Sequence, residues 1–127
     1  MKGAFVLAND TELYEQIERV LIGFGARTAS DRTAQIEDDS GYLFTVFGDV
    51  GPESEADLRA APIRVRGDVS GLDQASATAC WVECRSEDVF VQWVRTVSAE
   101  RMTPTWVLDG DGVIWNVEAV DPDELQL

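Results

Sequence analysis

Thr105-Trp-Val-Leu-Asp-Gly-Asp-Gly-Val-Ile-Trp-Asn-Val-Glu-Ala-Val120 reads as two apolar strands around a tight turn. Asp109 to Gly112 is strong turn chemistry, because glycine reaches positive φ and aspartate bonds the backbone of its own turn. A turn centred on Gly110-Asp111 predicts Leu108 opposite Val113, Val107 opposite Ile114 and Trp106 opposite Trp115. Trp106, Leu108, Val113, Trp115 and Val117 then share one face, where cross-strand aromatic pairs reinforce the ladder. A weaker echo stands earlier in the chain, Ile36-Glu-Asp-Asp-Ser-Gly-Tyr-Leu-Phe-Thr-Val46.

The residues before each hairpin repeat a second pattern. Ala79 to Cys84 is an apolar strand, and Ser86 caps a helix opening with Glu87 and Asp88, whose stripe is Phe90, Trp93, Val94 and Val97. Gly3 to Ala8 is likewise a short strand. Asn9 or Asp10 caps a helix over 11–24 with Leu13, Ile17, Val20, Leu21 and Phe24 at helical spacing, ended by Gly25. Phe5 and Val6 lay on Trp81 and Val82, and Leu13 and Ile17 on Val89 and Trp93. Asp38, Gly41, Phe44 and Val46 lay on Asp109, Gly112, Trp115 and Val117. The expected fold is α+β: one domain over 1–127 made of two tandem βαββ-like units, an internal duplication. Unit one covers about 3–48, an irregular middle about 49–78, and unit two about 79–120, with antiparallel sheet and helices on one side. Within the middle, Pro52 to Ala61 fits a short helix and Ile63 to Arg66 a strand with Arg64 and Arg66 outward. Residues 26–32 read as a polar connector, and Gly67 to Ala77 as a loop.

Composition bounds function more by exclusion. An apolar content of 45% with four Trp and five Phe excludes a disordered chain. There are 24 acidic against 10 basic residues, a net charge of −14. Such a field repels nucleic acid and anionic membranes and attracts a basic partner. Ala4 to Ala8 is too short an apolar run for a signal peptide, and no stretch approaches the ~20 apolar residues of a membrane helix. Cys80 and Cys84, four apart on a strand, would stand about 13 Å apart, too far for a disulfide. Free thiols and no leader point to a cytoplasmic protein.

Site chemistry is equally restricted. The chain has no histidine, which removes the commonest general base and transition-metal ligand together. Cys80-x-x-x-Cys84 is not a zinc-knuckle spacing and has no second pair. Asp109-Gly-Asp-Gly112 lacks the later ligands of a calcium loop, which would fall on Val113 and Val120. No Gly-rich phosphate loop occurs, and Arg59, Arg64 and Arg66 are outnumbered locally by acids. No metal and no cofactor is expected. One face of Tyr42 to Phe47 is a candidate contact surface.

The leading expectation is therefore a non-enzymatic, acidic protein-binding domain for a basic protein partner, such as an immunity protein neutralising a cationic nuclease toxin. Its expected docking residues are Asp38, Asp39, Glu53, Glu55, Asp57, Asp109 and Asp111, all at turns or helix starts. The alternative is a cytoplasmic domain that binds a small ligand, or a second copy of itself as a homodimer, in a cleft between the two units. A pocket lined by Trp81 and Trp93 would mark that alternative, and a single desolvated carboxylate in a cleft would mark an enzyme.

Overall fold

Strands that are apolar on both faces belong where both faces are covered, and here they occupy the middle of the sheet. The structure, a computed structural model, describes residues 2–127. The elements are β1 (Gly3–Ala8), α1 (Leu13–Gly23), β2 (Arg27–Ala29), β3 (Thr33–Glu37), β4 (Leu43–Phe47), α2 (Glu55–Arg59), β5 (Arg64–Arg66), β6 (Thr78–Glu83), α3 (Glu87–Arg101), β7 (Trp106–Leu108) and β8 (Val113–Asn116). A single eight-stranded sheet runs in the order β2-β3-β4-β6-β1-β7-β8-β5. Its neighbours are antiparallel, except that β5 lies parallel to β8 at one edge.

The two long helices pack together over one face, as an α+β fold requires. α1 turns Leu13, Tyr14, Ile17 and Leu21 inward, and α3 turns Phe90, Trp93, Val94 and Val97 inward, over Val6, Phe44, Val46, Val82 and Trp115. Ser86 caps α3 as expected, accepting from the Val89 N–H at 3.2 Å. α1 instead starts at Leu13 with Glu12 as an N-cap that makes no side-chain bond, and Asp10 accepts from the Glu12 N–H at 2.9 Å in the turn before it. Gly25, at φ +97°, ends the turn after α1. Phe24, expected in the α1 stripe, is instead 55% exposed at the helix end, though its ring meets Trp93 edge-on.

The opposite face is covered over one half only. Leu58 of α2 packs there with Leu7, Ala79, Trp106, Leu108 and Ile114. The middle segment that delivers it is more than a linker. Arg59 donates to the carbonyls of Gln74 and Ala77, Gln74 donates to those of Leu58 and Ala60, and the Trp106 indole donates to Asp68 O at 3.0 Å.

The second hairpin turns through a longer loop than the sequence implied. The observed pairs are Trp106 with Asn116, Val107 with Trp115 and Leu108 with Ile114, one residue from the expected register. Gly112 sits at φ +78° and adds a third loop residue, with Asp109 N–H bonded to Val113 O at 3.0 Å. A one-residue slip sends alternate side chains to the other face. Trp106 and Leu108 therefore join the Leu58 side, while Val113, Trp115 and Val117 face the helices. The first hairpin repeats the device, with Gly41 at φ +87° and Asp38 N–H bonded to Tyr42 O at 2.9 Å.

That shared turn is not enough to confirm tandem duplication. In the first half the strands after the helix start at the sheet edge and step inward, so the last of them, β4, meets β6. In the second half the first strand, β7, meets β1 and the hairpin steps outward. The halves also differ by β2, a strand inside the expected connector whose three residues are all exposed and so carry no burial pattern.

Candidate functional site

The half-covered face carries a row of side chains that sheet register places side by side, three half-buried aromatics ending at the buried Leu108. Phe47 lies opposite Trp81, Trp81 opposite Phe5, and Phe5 opposite Leu108. Phe5 and Trp81 meet edge to face, 4.9 Å between ring centroids and 64° between planes, a pair worth about 0.5–1.5 kcal/mol beyond its buried area. Gly3 makes that geometry possible: a Cβ there would come within 2.7 Å of the Trp81 ring.

Above this row the middle segment stops short and leaves a cleft of about 770 Å³. Its floor is Gly3, Phe5, Trp81 and Leu108; one wall runs from Ser54 and Asp57 to Pro62 and Ile63, and the end wall is the β7–β8 tip, Asp109 to Gly112. Ile63 N–H bonds Gly112 O at 3.0 Å and joins the two walls. The size lies within the 300–1,000 Å³ typical of binding clefts. No Lys or Arg lines it.

The expected docking acids divide into groups. Asp57 and Asp111 are exposed on the cleft walls and belong to none of the ion pairs among the described residues. Glu55 is exposed on α2 and paired with Arg59 at 3.2 Å, and Glu53 is exposed one turn earlier. Asp39 is exposed and Asp38 half-buried at the β3–β4 tip. That tip stands at the same end of the sheet as Asp111, roughly four strand spacings or ~19 Å away.

Asp109 is the correction. It is only 7% exposed, and its carboxylate is engaged inward. Oδ1 accepts from the N–H groups of Asp111 and Val113 at 2.9 and 3.1 Å, and Oδ2 from Trp115 Nε1 at 2.9 Å and, more weakly, Gln126 N–H at 3.4 Å. A carboxylate offers about four acceptor positions, so this desolvated acid has none left for chemistry in the cleft beside it. It holds the tip in shape.

The tryptophans also separate. Trp81 lines the cleft, but Trp93 lies under the helices against Phe24 and Phe44, so no pocket joins the two. The aromatic floor was missed in the sequence because Phe5 and Trp81 sit in strands apolar on both faces. On the Tyr42 to Phe47 strand, Leu43 is 45% exposed and shares the face of Phe47, while Tyr42, 44% exposed just before the strand, falls on the alternate position.

Both cysteines are free and buried, as strand spacing implied. Burial pushes the Cys80 thiol up to about 12 and raises Cys84 as well. Among the described residues no group of three or more Cys, Asp or Glu is placed to hold a metal ion, and no helix is long and apolar enough to cross a membrane. Comparison with protein-family models, curated proteins and solved structures finds no match.

Proposed function

We propose that this chain is a non-enzymatic binding domain that docks a basic protein partner on the half-open sheet face. The observation that carries the reading is the cleft: an aromatic floor, two carboxylates on its walls that pair with no cation among the described residues, and no Lys or Arg in its lining. Buried aromatic contacts supply affinity while rim charges raise the association rate and select the partner. A net charge of −14 extends that selection over the whole surface and opposes self-association. The lack of histidine and the fully engaged carboxylate of Asp109 favour binding over catalysis. A cytoplasmic immunity protein that neutralises a cationic toxin, such as a nuclease, is the form this chemistry fits.

The test is to measure association with a cationic nuclease domain, taken from a neighbouring gene where one encodes it, at low and high salt, with wild type and with Asp57→Lys/Asp111→Lys. A stoichiometric complex, formed faster at low salt and slowed by charge reversal, supports the reading. No complex, or one indifferent to salt and charge reversal, overturns it. The cleft volume also suits a small cationic ligand, the second reading, which calorimetry with free polyamines would separate from protein docking.

A further inference from the structure

We propose that the cleft seats an arginine side chain of a basic protein segment, laid against Trp81 between Asp57 and Asp111. This deepens the docking reading and rests on it. The chain itself shows the recognition unit twice. Arg32 lies over the Tyr14 ring at 4.8 Å and pairs with Glu15 and, at 2.9 Å, with Asp49. Arg66 lies over the Trp115 ring at 4.9 Å and pairs with Glu124. In both, one guanidinium covers an aromatic ring and satisfies a carboxylate at its rim.

At Trp81 the same parts stand together with the arginine missing. The ring is part-exposed on the cleft floor, its Nε1 is 3.4 Å from Glu83 Oε1, and Asp57 and Asp111 stand on the walls. Four of the chain's basic residues are committed to ion pairs elsewhere, Lys2, Arg32, Arg59 and Arg66, and none of the ten enters the cleft. Arginine fits better than lysine, because a planar, weakly hydrated guanidinium stacks on a ring while its edges bond carboxylates on two sides. The cleft, at about 770 Å³, is larger than one side chain, so the arginine arrives on a segment whose backbone fills the rest. A second copy of this chain is a poor occupant, since both surfaces carry the same −14 charge.

The experiment uses the full chain, isotope-labelled, titrated at low ionic strength with acetyl-Gly-Ser-Arg-Ser-Gly-amide and its lysine and citrulline counterparts. The arginine peptide is expected to shift the Trp81 indole N–H and the amides of Gly3 and Asp111, lysine more weakly and neutral citrulline not at all. Trp81→Leu should weaken binding about tenfold, and Asp57→Asn/Asp111→Asn should do so with the Trp81 platform intact. Equal binding of citrulline or lysine overturns the arginine seat. Shifts confined to other acids, such as the β3–β4 tip, overturn the seat but leave acidic docking standing. Silence with both cationic peptides overturns the seat, while the salt-dependent complex with the cationic nuclease domain decides the docking reading separately.

Discussion

Asp38 and Asp109 close the same turn with the same bonds, yet one is half-exposed and the other buried. Asp38 accepts from the N–H groups of Ser40 and Tyr42 at 3.1 and 2.9 Å, as Asp109 does from Asp111 and Val113. Only Asp109 also receives an indole N–H and lies 7% exposed. Removing it strands buried donors, whereas water replaces Asp38. Asp109→Ala is expected to cost about 3 kcal/mol and Asp38→Ala about 1 kcal/mol or less, read as midpoint shifts in urea. Equal losses would show that the indole bond contributes nothing.

The thiols set an alkaline limit. Burial holds Cys80 protonated up to about 12, above the ordinary thiol value of 9.0. The unfolded chain releases that proton first, so this contribution is complete below pH 9 and is lost as pH rises from there toward 12. Stability is expected to fall over that window in wild type and to fall less in Cys80→Ala. Ellman titration should find two thiols per denatured chain and neither reacting promptly in the native one.

Met102 closes α3 in the left-handed region, at φ 61°, with its N–H on Ser98 O and its side chain 87% exposed. A side chain with a Cβ is strained there and this one buries almost nothing in return. Met102→Gly is expected to stabilise by about 1 kcal/mol in thermal or urea unfolding. Destabilisation would show that the side chain does not strain the left-handed backbone at this helix end.

The two acidic tips should act independently on association. They stand roughly 19 Å apart, more than two screening lengths of ~8 Å at physiological salt. Asp38→Lys/Asp39→Lys and Asp57→Lys/Asp111→Lys are each expected to slow association several-fold, with the slowing multiplied when combined. Stopped-flow rates over a salt series decide this. A combined variant no slower than either pair would confine docking to one tip.

Much of the fold was legible because local chemistry and burial agreed. Ser86 marks the start of α3, and the α3 stripe from Phe90 to Val97 is buried as its spacing implied. Register was not legible, since the third loop residue depends on Gly112 at φ +78°, and an Asp-Gly-Asp-Gly run also permits a two-residue turn. Strand β2 was hidden because all its residues face solvent. Of the site, the acids were readable and the floor was not. Which face of Phe5 and Trp81 stays open is decided by where residues 52–76 stop, and those are fixed by side chain to backbone bonds from Arg59 and Gln74 that leave no periodic trace.

The crossing of the two halves has a consequence for how the molecule comes apart. Hairpin β3–β4 is completed by β6 from the later half, and hairpin β7–β8 by β1 from the earlier one. A nick in the loop 67–76 between the halves would therefore yield two fragments, each with the other's missing strand and neither with a closed sheet of its own. Such fragments would be a natural split pair, unfolded alone and reassembling when mixed, with the rejoining of β1 to β6 as the event that restores the cleft.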